Sequence, residues 1–328
     1  MTIHVRPPLL ETDAPSTTPF ACDVIAGLSE TPKTLPPKYF YDTAGSRLFE
    51  EITRLPEYYP TRTEVGILRD NVAAIAALIP RGAALVEFGA GSASKVRILL
   101  EAAPHIAAYV PVDISAEFLG DEAARLERDI PRVAVHAVAA DFTQDFALPA
   151  AVHERPRVGF FPGSTIGNFN PHDARHFLRQ AARILGPGAM LIIGADLIKD
   201  EATLHAAYDD AAGITAKFNL NLLVRINREL GANFDVGAFE HQARFDRTHH
   251  RIEMHLVARR PQQVQICGHT IDICAGETIH TENSYKFTIG SFATLARRSN
   301  WTPSVVFTDT ARLFSVHVLT RGRRRRNG

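Results

Sequence analysis

The sequence predicts an α/β fold: a mainly parallel, doubly wound sheet carrying an inserted α+β lobe. Three observations predict it. The apolar run Ala84-Leu85-Val86 passes through Glu87-Phe88 into the glycine-spaced turn Gly89-Ala90-Gly91, with a helix-like segment behind it. From Ala84 to Gly194 apolar stretches of strand length alternate with helical patterns, the mark of successive βαβ units. From Asp200 to Phe287 that alternation breaks, and long helical material gives way to apolar–polar alternation.

The elements follow in order. Residues 1–36, rich in Pro, Thr and Asp, are expected to hold one short helix around Cys22–Leu28. The first strand is Ala84–Phe88 and its helix lies around Lys95–Ala103. Ala107–Val112 is the second strand, followed by an Ala- and Leu-patterned helix over Ser115 to Asp129. A third strand is expected near Val133–Ala139 and a fourth near Val158–Phe161. The helix Asp173–Leu185 is stopped by Gly186-Pro187-Gly188, because glycine caps a helix end and proline cannot continue one. Met190–Gly194 is the fifth strand.

Asp200–Leu230 reads as long helical material. Phe234–Phe287 reads as antiparallel sheet, with turns at Asp246-Arg247-Thr248 and Ala275-Gly276-Glu277. A helix near Ser291–Ser299 resumes the frame. Two closing strands, Ser304–Thr308 and Leu313–Leu319, are close enough to form a hairpin. The domains are therefore expected to be discontinuous. Residues 61–199 and 287–321 form a cofactor domain, 1–60 and 200–286 a second lobe, and 322–328 a disordered tail.

Bulk properties narrow the partners. The 328 residues suffice for one large domain or two smaller ones. Lys+Arg and Asp+Glu stand at 36 each, so no net field draws the chain toward nucleic acid, a membrane or an acidic partner. Cys22, Cys267 and Cys274 include no CxxC pair and cannot build a disulfide framework, which fits a reduced, cytoplasmic setting. The opening MTIHVRPPLLETDAP has prolines and an acid where a signal peptide needs an apolar core. The run Ala189–Ile198 is too short to span a bilayer and contains Asp196. The tail Arg321-Gly322-Arg323-Arg324-Arg325-Arg326 could touch nucleic acid or anionic lipid, but a frayed, solvated terminus is the favoured reading. The expectation is a monomer acting on a small molecule, with neither nucleic acid nor membrane as partner.

The glycine turn suggests a nucleotide-like cofactor, because a buried strand there delivers the backbone to a helix N-terminus. Ser94 stands where a dinucleotide fingerprint wants its third glycine, and no phosphate-loop motif occurs. Two acids point to S-adenosylmethionine instead. Asp113 closes the second strand, about 20 residues past the turn, where an acidic side chain meets ribose hydroxyls. Asp141-Phe142 follows the third strand, where a carboxylate can accept from an adenine amino group and an aromatic can pack the ring. With Glu87, three acids fall at successive strand ends. Lys95, just inside the first helix, could reach the cofactor's carboxylate. Each has a plainer reading as a cap, a loop acid or a surface lysine. The histidines His136, His241, His249, His250, His255, His269 and His280 show no metal spacing, and no metal is expected.

Three further segments are over-specified for their surroundings. One runs from Pro36-Pro37-Lys38-Tyr39-Phe40-Tyr41-Asp42 to Leu55-Pro56-Glu57-Tyr58-Tyr59-Pro60-Thr61-Arg62. Another is Phe161-Pro162-Gly163-Ser164-Thr165-Ile166-Gly167-Asn168-Phe169. The last is Thr281-Glu282-Asn283-Ser284-Tyr285-Lys286-Phe287. On these motifs, together with AYDDAAG, FNLNLL, NREL and RIEM, the chain closely resembles the histidine-specific Nα-methyltransferases of ergothioneine biosynthesis. The resemblance runs from about Cys22 to Leu319.

It implies a Rossmann-like class I methyltransferase sheet with a dedicated substrate-binding lobe. It also implies transfer of three methyls from S-adenosylmethionine to the histidine amino group, giving hercynine and leaving S-adenosylhomocysteine. By the same resemblance Tyr41, Gly89, Lys95, Asp113, Asp141 and Phe142 bind the cofactor. Histidine, and its mono- and dimethyl forms, would be bound by Tyr58, Gly163, Asn168, Tyr208, Met254, Glu282 and Ser284. Asn168 and Tyr208 would hold the carboxylate, Gly163 and Asn168 the amine region, and Glu282 with Ser284 the imidazole. Asn168 and Tyr41 are the catalytic candidates, Tyr41 as a proton relay.

The residue chemistry agrees. Glu282 and Ser284 are two apart in a strand-like segment and share a face. A carboxylate and a hydroxyl can together satisfy both imidazole nitrogens. Three alternatives stay open at this point: methylation of another amine such as tryptophan, a non-catalytic sensor on the same frame, and a nicotinamide oxidoreductase. A buried carboxylate at Glu282 speaks against an apolar substrate, and the missing glycine against the nicotinamide.

Overall fold

The computed structural model describes residues 18–91, 93–114 and 116–322; the expectations placed on residues 1–17 and on the arginine-rich stretch 323–328 lie outside the described residues. The chain begins with α1 (Pro19–Ser29) and the two-residue strand β1 (Lys33–Thr34). Thr18 caps α1 by accepting from Ala21 N at 3.1 Å, and Pro19 presets the first helical φ, so the helix starts ahead of the expected Cys22. Helices α2 (Thr43–Ile52), α3 (Tyr59–Asp70) and α4 (Val72–Leu78) lead to β2 (Ala84–Phe88). Then come α5 (Ser94–Ala102), β3 (Ala108–Asp113), α6 (Ala116–Asp129), β4 (Ala134–Val135) and β5 (Val138–Ala139). The frame continues with β6 (Arg157–Phe161), α7 (Pro171–Leu185) and β7 (Met190–Asp196).

Beyond it lie α8 (Glu201–Tyr208), α9 (Ile214–Leu230), and the strands β8 (Phe239–Asp246), β9 (Arg251–Ala258), β10 (Gln262–Ile266), β11 (His269–Ile273) and β12 (Thr278–Tyr285). Helix α10 (Ile289–Arg297) and strands β13 (Thr302–Thr308) and β14 (Phe314–Thr320) close the chain.

One expectation changes. The third strand of the frame is split into β4 and β5 rather than continuous over Val133–Ala139. The cause lies in its neighbour: Tyr109 and Asp113 of β3 accept from His136 N and Ala140 N, but between them stands Pro111, which has no N–H to give that side of the ladder. The long helical material expected over Asp200–Leu230 consists of two helices, α8 and α9. Gly213, with φ +67°, turns the chain between them in a conformation that favours glycine.

The chain forms two compact units. One comprises Met1–Phe49, Ala212–Ala243 and Met254–Glu282, the other Glu50–Ala211, Arg244–Glu253 and Asn283–Gly328. These borders fall elsewhere than 60/61, 199/200 and 286/287, and three of them lie within β8, β9 and β12. In the first unit β1 pairs in parallel with β12 through Lys33–Ile279 and Thr34–His280, and β10 pairs antiparallel with β11. Phe218 of α9 stacks on Phe40 at 4.5 Å between ring centroids.

The second unit holds the eight-stranded sheet, ordered β13-β14-β7-β6-β2-β3-β4, with β5 also on β3. Strands β2 to β7 pair in parallel, and the closing hairpin is antiparallel to β7, as the sequence predicts. Both faces are buried. Leu85, Tyr109, Phe160 and Ile192 belong to one apolar cluster, while Val86, Val110, Phe161 and Ile193 belong to the other. This is why the strands read as continuous apolar runs. Asn170 caps α7 by accepting from His172 N and Asp173 N at 3.0 and 2.9 Å, with Pro171 at the first position.

Phe177 of α7 is the hub of one face. Its ring lies 4.3 Å from that of Phe161, 5.6 Å from Phe88 and Phe169, and 5.9 Å from Phe142. Phe177→Ala should therefore cost about 3–5 kcal/mol, the range for emptying a packed aromatic site. Chemical denaturation checks this, and a loss below about 1 kcal/mol would contradict it.

Candidate active site

Strand order reverses at β2, which pairs with β3 on one side and β6 on the other, so a crevice opens beyond the strands' carboxyl ends. Gly89 turns the chain there with φ +74°. Its N–H and that of Ala90 both donate to Val112 O, at 2.8 and 3.0 Å, which fastens the turn to the end of β3. A Cβ at Gly89 would come 3.2 Å from the Phe142 ring, whereas one at Gly91 would meet nothing within 4 Å. Helix α5 starts behind the turn at Ala93, which offers no side-chain cap, so its first N–H groups rely on other partners.

Around this turn lie three of the residues expected for the cofactor, Asp113, Asp141 and Phe142. Asp113 is the last residue of β3. Asp141 follows β5, its Oδ1 accepting from Thr143 N at 2.9 Å and Thr143 Oγ1 at 2.5 Å. Phe142 is held between the Gly89 turn and the Phe161–Phe177 pair. These features fit an adenosyl group: acceptor carboxylates at successive strand ends, an uncapped helix start and a glycine-lined approach. The third acid does not share that setting. Glu87 is 2% exposed and accepts from the Tyr109 hydroxyl. Burial pushes its carboxyl up to about 8, against the pull of Tyr109 and Lys95.

Lys95 sits in the first turn of α5, with its ammonium 2.5 Å from Glu64 Oε2. The same Glu64 oxygen accepts from Gly163 N at 2.8 Å. Glu64 fits there because Gly194 lacks a side chain: a Cβ on Gly194 would stand 2.1 Å from Glu64 Oε1. One buried carboxylate thus joins the expected cofactor lysine to the expected substrate glycine. A lysine has three donors, so Lys95 can hold Glu64 and a ligand carboxylate together.

The loop after β6 is strained into shape. Gly163 has φ +80° and Ser164 φ +56°, ahead of the short 3-10 turn Thr165–Asn168. Ser164 Oγ accepts from Asp196 N at 2.8 Å. A Cβ on Gly167 would lie 2.7 Å from Tyr285 O, so the loop can pass Tyr285 only as glycine. Asn168 ends the turn, half-buried.

Beside this loop lies a charged cluster from which water is excluded. Asp196, 1% exposed at the end of β7, accepts from the Tyr59 hydroxyl at 2.7 Å and from Lys199 at 2.6 Å, and pairs with Lys286 at 2.8 Å. Burial works against its charge, but Lys286 and Lys199 outweigh it and hold the carboxyl below its ordinary range. Burial pushes the Lys199 ammonium down to about 8, although Asp196 opposes the fall. Lys286 also donates to Ser284 Oγ at 2.7 Å and the Tyr208 hydroxyl at 3.0 Å, and those two hydroxyls are 2.6 Å apart. Tyr58 sets its ring edge-on to Tyr208 at 6.3 Å. The second unit thereby joins Tyr58, Tyr208 and Ser284 in one group, and Lys95 with Gly163 in another.

Tyr41, Met254 and Glu282 belong to the first unit. Tyr41 follows the 3-10 turn Pro37–Phe40, its ring packed edge-on to Phe49 and Phe218 at 5.7 and 5.8 Å. Met254 is buried and its carbonyl accepts from Thr281 Oγ1 at 3.0 Å. Glu282 is 8% exposed, and its carbonyl accepts from His280 Nε2 at 3.0 Å. Among the described residues no group of three or more His, Cys, Asp or Glu could hold a metal ion, and no helix is long and apolar enough to cross a membrane.

Sequence reasoning named neither Glu64 nor Lys286 as site residues. Lys286 left a usable signal: it continues the Glu282–Ser284 face by one strand period. Asp196, an acid ending a fully apolar run, signalled a buried charge in need of cations.

Residues 20–321 match the family model described as histidine-specific methyltransferase, SAM-dependent. The chain is 47% identical over 274 residues to the histidine N-alpha-methyltransferase of Mycobacterium tuberculosis, covering 81% of this chain and 83% of that protein. It is 46% identical over 270 residues to the enzyme of that name from Mycolicibacterium smegmatis, with the same coverage. Among solved structures, an S-adenosylmethionine-dependent methyltransferase from Clostridium acetobutylicum aligns at a TM-score of 0.48 and 9% identity, over 85% of this chain and 100% of that one.

Glu87 yields a prediction about pH. An unfolded glutamate ionises near about 4.3, whereas the folded Glu87 holds its proton to about 8. The stability it contributes is thus complete below the lower value and is lost as pH rises through the upper one. Glu87→Gln, which stays neutral, should melt progressively higher relative to the unsubstituted chain between pH 5 and 8.5, on the order of one pKa shift's worth per unit. A difference in melting temperature that does not change with pH would show Glu87 to be ionised in the fold.

Proposed function

Because this chain belongs to the family of histidine-specific, S-adenosylmethionine-dependent methyltransferases, we propose that it methylates the α-amino group of L-histidine three times. The product is the trimethylbetaine hercynine, and the reaction is the first step of ergothioneine biosynthesis. The observation that carries the reading is the pairing of an adenosyl-type crevice at the β2 switch point with the polar Tyr208–Ser284 hydroxyl pair in the same unit. A polar anchor suits an amino-acid substrate and not an apolar amine.

S-adenosylmethionine, when bound, supplies a methyl on a sulfonium that is already a good leaving group. Gly89 lets it approach the backbone, Asp113 accepts from ribose hydroxyls, Asp141 accepts from the adenine amino group, and Phe142 packs the ring. Lys95 takes the methionine carboxylate, and Tyr41 completes the set. The protein's remaining task is alignment, which can supply most of the rate for an in-line displacement.

On the substrate side, Asn168 and Tyr208 hold the carboxylate, and Gly163 with Asn168 borders the amine. Glu282 and Ser284 hold the imidazole, while Tyr58 and Met254 wall the pocket. The nucleophile is a neutral amine, and an α-amino group carries a pKa near about 8 or above, so a proton must leave first. Tyr41 is proposed to relay it. Grip at the carboxylate and the imidazole leaves the nitrogen unencumbered, so the mono- and dimethyl products remain substrates. The proposal places the enzyme in the cytoplasm as a monomer; three cysteines, Cys22, Cys267 and Cys274, with no CxxC pair among them, suit that compartment.

Mass spectrometry of products from histidine, methylhistidine and dimethylhistidine with S-adenosylmethionine tests the reaction. Each should give hercynine, and a chain that leaves all three unchanged would refute the reading. Glu282→Ala should weaken histidine binding about 10- to 100-fold, the cost of a lost charged hydrogen bond. Its affinity for S-adenosylmethionine should stay within about twofold. Equal losses for the two ligands in calorimetry would remove Glu282 from the substrate set.

A further inference from the structure

Lys286 has a fully buried side chain, 0% exposed, and its ammonium meets three oxygens: Asp196 Oδ2, Ser284 Oγ and the Tyr208 hydroxyl. An ammonium has three hydrogens and no lone pair, so both hydroxyl oxygens must accept from it. The two hydroxyls also bond to each other at 2.6 Å, and one of them donates. The receiving oxygen then accepts twice, from Lys286 and from its neighbour. With both lone pairs filled, it can meet any further group only through its hydrogen.

We infer that Lys286 is a positioning residue for the amino-acid substrate. It clamps Tyr208 and Ser284 into a single unit that presents a hydrogen-bond donor to a lone-pair-bearing group, a carboxylate oxygen or an unprotonated imidazole nitrogen. Asp196 makes this possible, because an ammonium buried without a counter-charge would give up its proton. Tyr59 shares Asp196 Oδ2 with Lys286, and Lys199 holds Oδ1, so the carboxylate that anchors Lys286 is itself fixed on both oxygens. Through its own N–H, Asp196 also ties the clamp to Ser164 in the loop that carries Gly163 and Asn168.

The inference rests on the reading that Tyr208 and Ser284 contact the substrate, and the experiment separates the two. Full-length enzyme is compared with Lys286→Met, Lys286→Arg, Ser284→Ala and the double variant Lys286→Met/Ser284→Ala. Histidine KM, kcat and the Kd for S-adenosylmethionine are measured for each. Lys286→Met should raise histidine KM about tenfold or more, lower kcat by less than about threefold, and leave the S-adenosylmethionine Kd within about twofold. Lys286→Arg should recover part of the loss. The double variant should be little worse than the poorer single one, because clamp and clamped hydroxyl act together.

An unchanged KM in folded Lys286→Met, equal weakening of both ligands, or full additivity in the double variant would each overturn the inference. If Lys286→Met does not fold, Lys286→Met/Asp196→Asn removes both charges together and is judged by the same criteria. If the unsubstituted enzyme leaves histidine unmethylated, the functional reading fails. An active enzyme indifferent to Lys286 defeats the clamp alone.

Discussion

The buried carboxylate of Asp196 is the interaction on which the substrate side of the second unit depends. A carboxylate removed from water is tolerable only with cations and donors around it, and removing a partner from such a group costs several kcal/mol. Here the carboxylate's partners come from three places in the chain: Tyr59 on α3, Lys199 after β7 and Lys286 after β12; the backbone N–H of the same residue adds Ser164 in the loop after β6. Satisfying one charge therefore ties together the segments that carry Tyr58, Tyr208 and Ser284, and the backbone N–H of Asp196 adds the loop that carries Asn168. The tyrosine is bound into the same arrangement, since burial and the Asp196 charge push its hydroxyl well above the ordinary phenol range.

A second carboxylate, Glu64, does the corresponding work on the side proposed for the cofactor. It binds Lys95 and the Gly163 N–H through one oxygen and fills the space that Gly194 leaves. Both anchors stand on strand ends and helices of the sheet rather than on free loops. Rigid support of this kind is what alignment-dominated chemistry requires, because misplacement by about 1 Å costs large factors in rate.

How much of this was legible follows from the range of each signal. The parallel frame shows in the sequence because both faces of the sheet's centre are buried, so β2, β3, β6 and β7 read as largely apolar runs. Gly89, Asp113 and Asp141 show because they recur at fixed distances from those runs. Glu64 did not show: its partners, Lys95 and Gly163, are far along the chain, and a glutamate in a helix resembles any solvated one. Lys199 lies only three residues from Asp196, but its burial against Tyr59, far back in the chain, is a property of packing. The split of the third strand was also missed, since its cause is a proline in the adjacent strand. Glu87 was legible as an acid at a strand end, but its burial against Tyr109 is a property of packing across strands. Substrate identity came from motif resemblance, for which the hydroxyl pair gives a physical rationale.

Pro111 has an effect beyond the ladder it interrupts. The eight-stranded sheet has two edges, and an open edge is a template on which another chain can add a strand. At one edge the break at Pro111 leaves only the two-residue pieces β4 and β5. At the other, β13 carries Pro303 at a register irregularity between Pro303 and Val305. Each rim is thus marked by a proline that cannot donate to an incoming strand. At those two positions an incoming strand would find no N–H to pair with, a local obstacle to lateral pairing that rests on the backbone and not on surface charge.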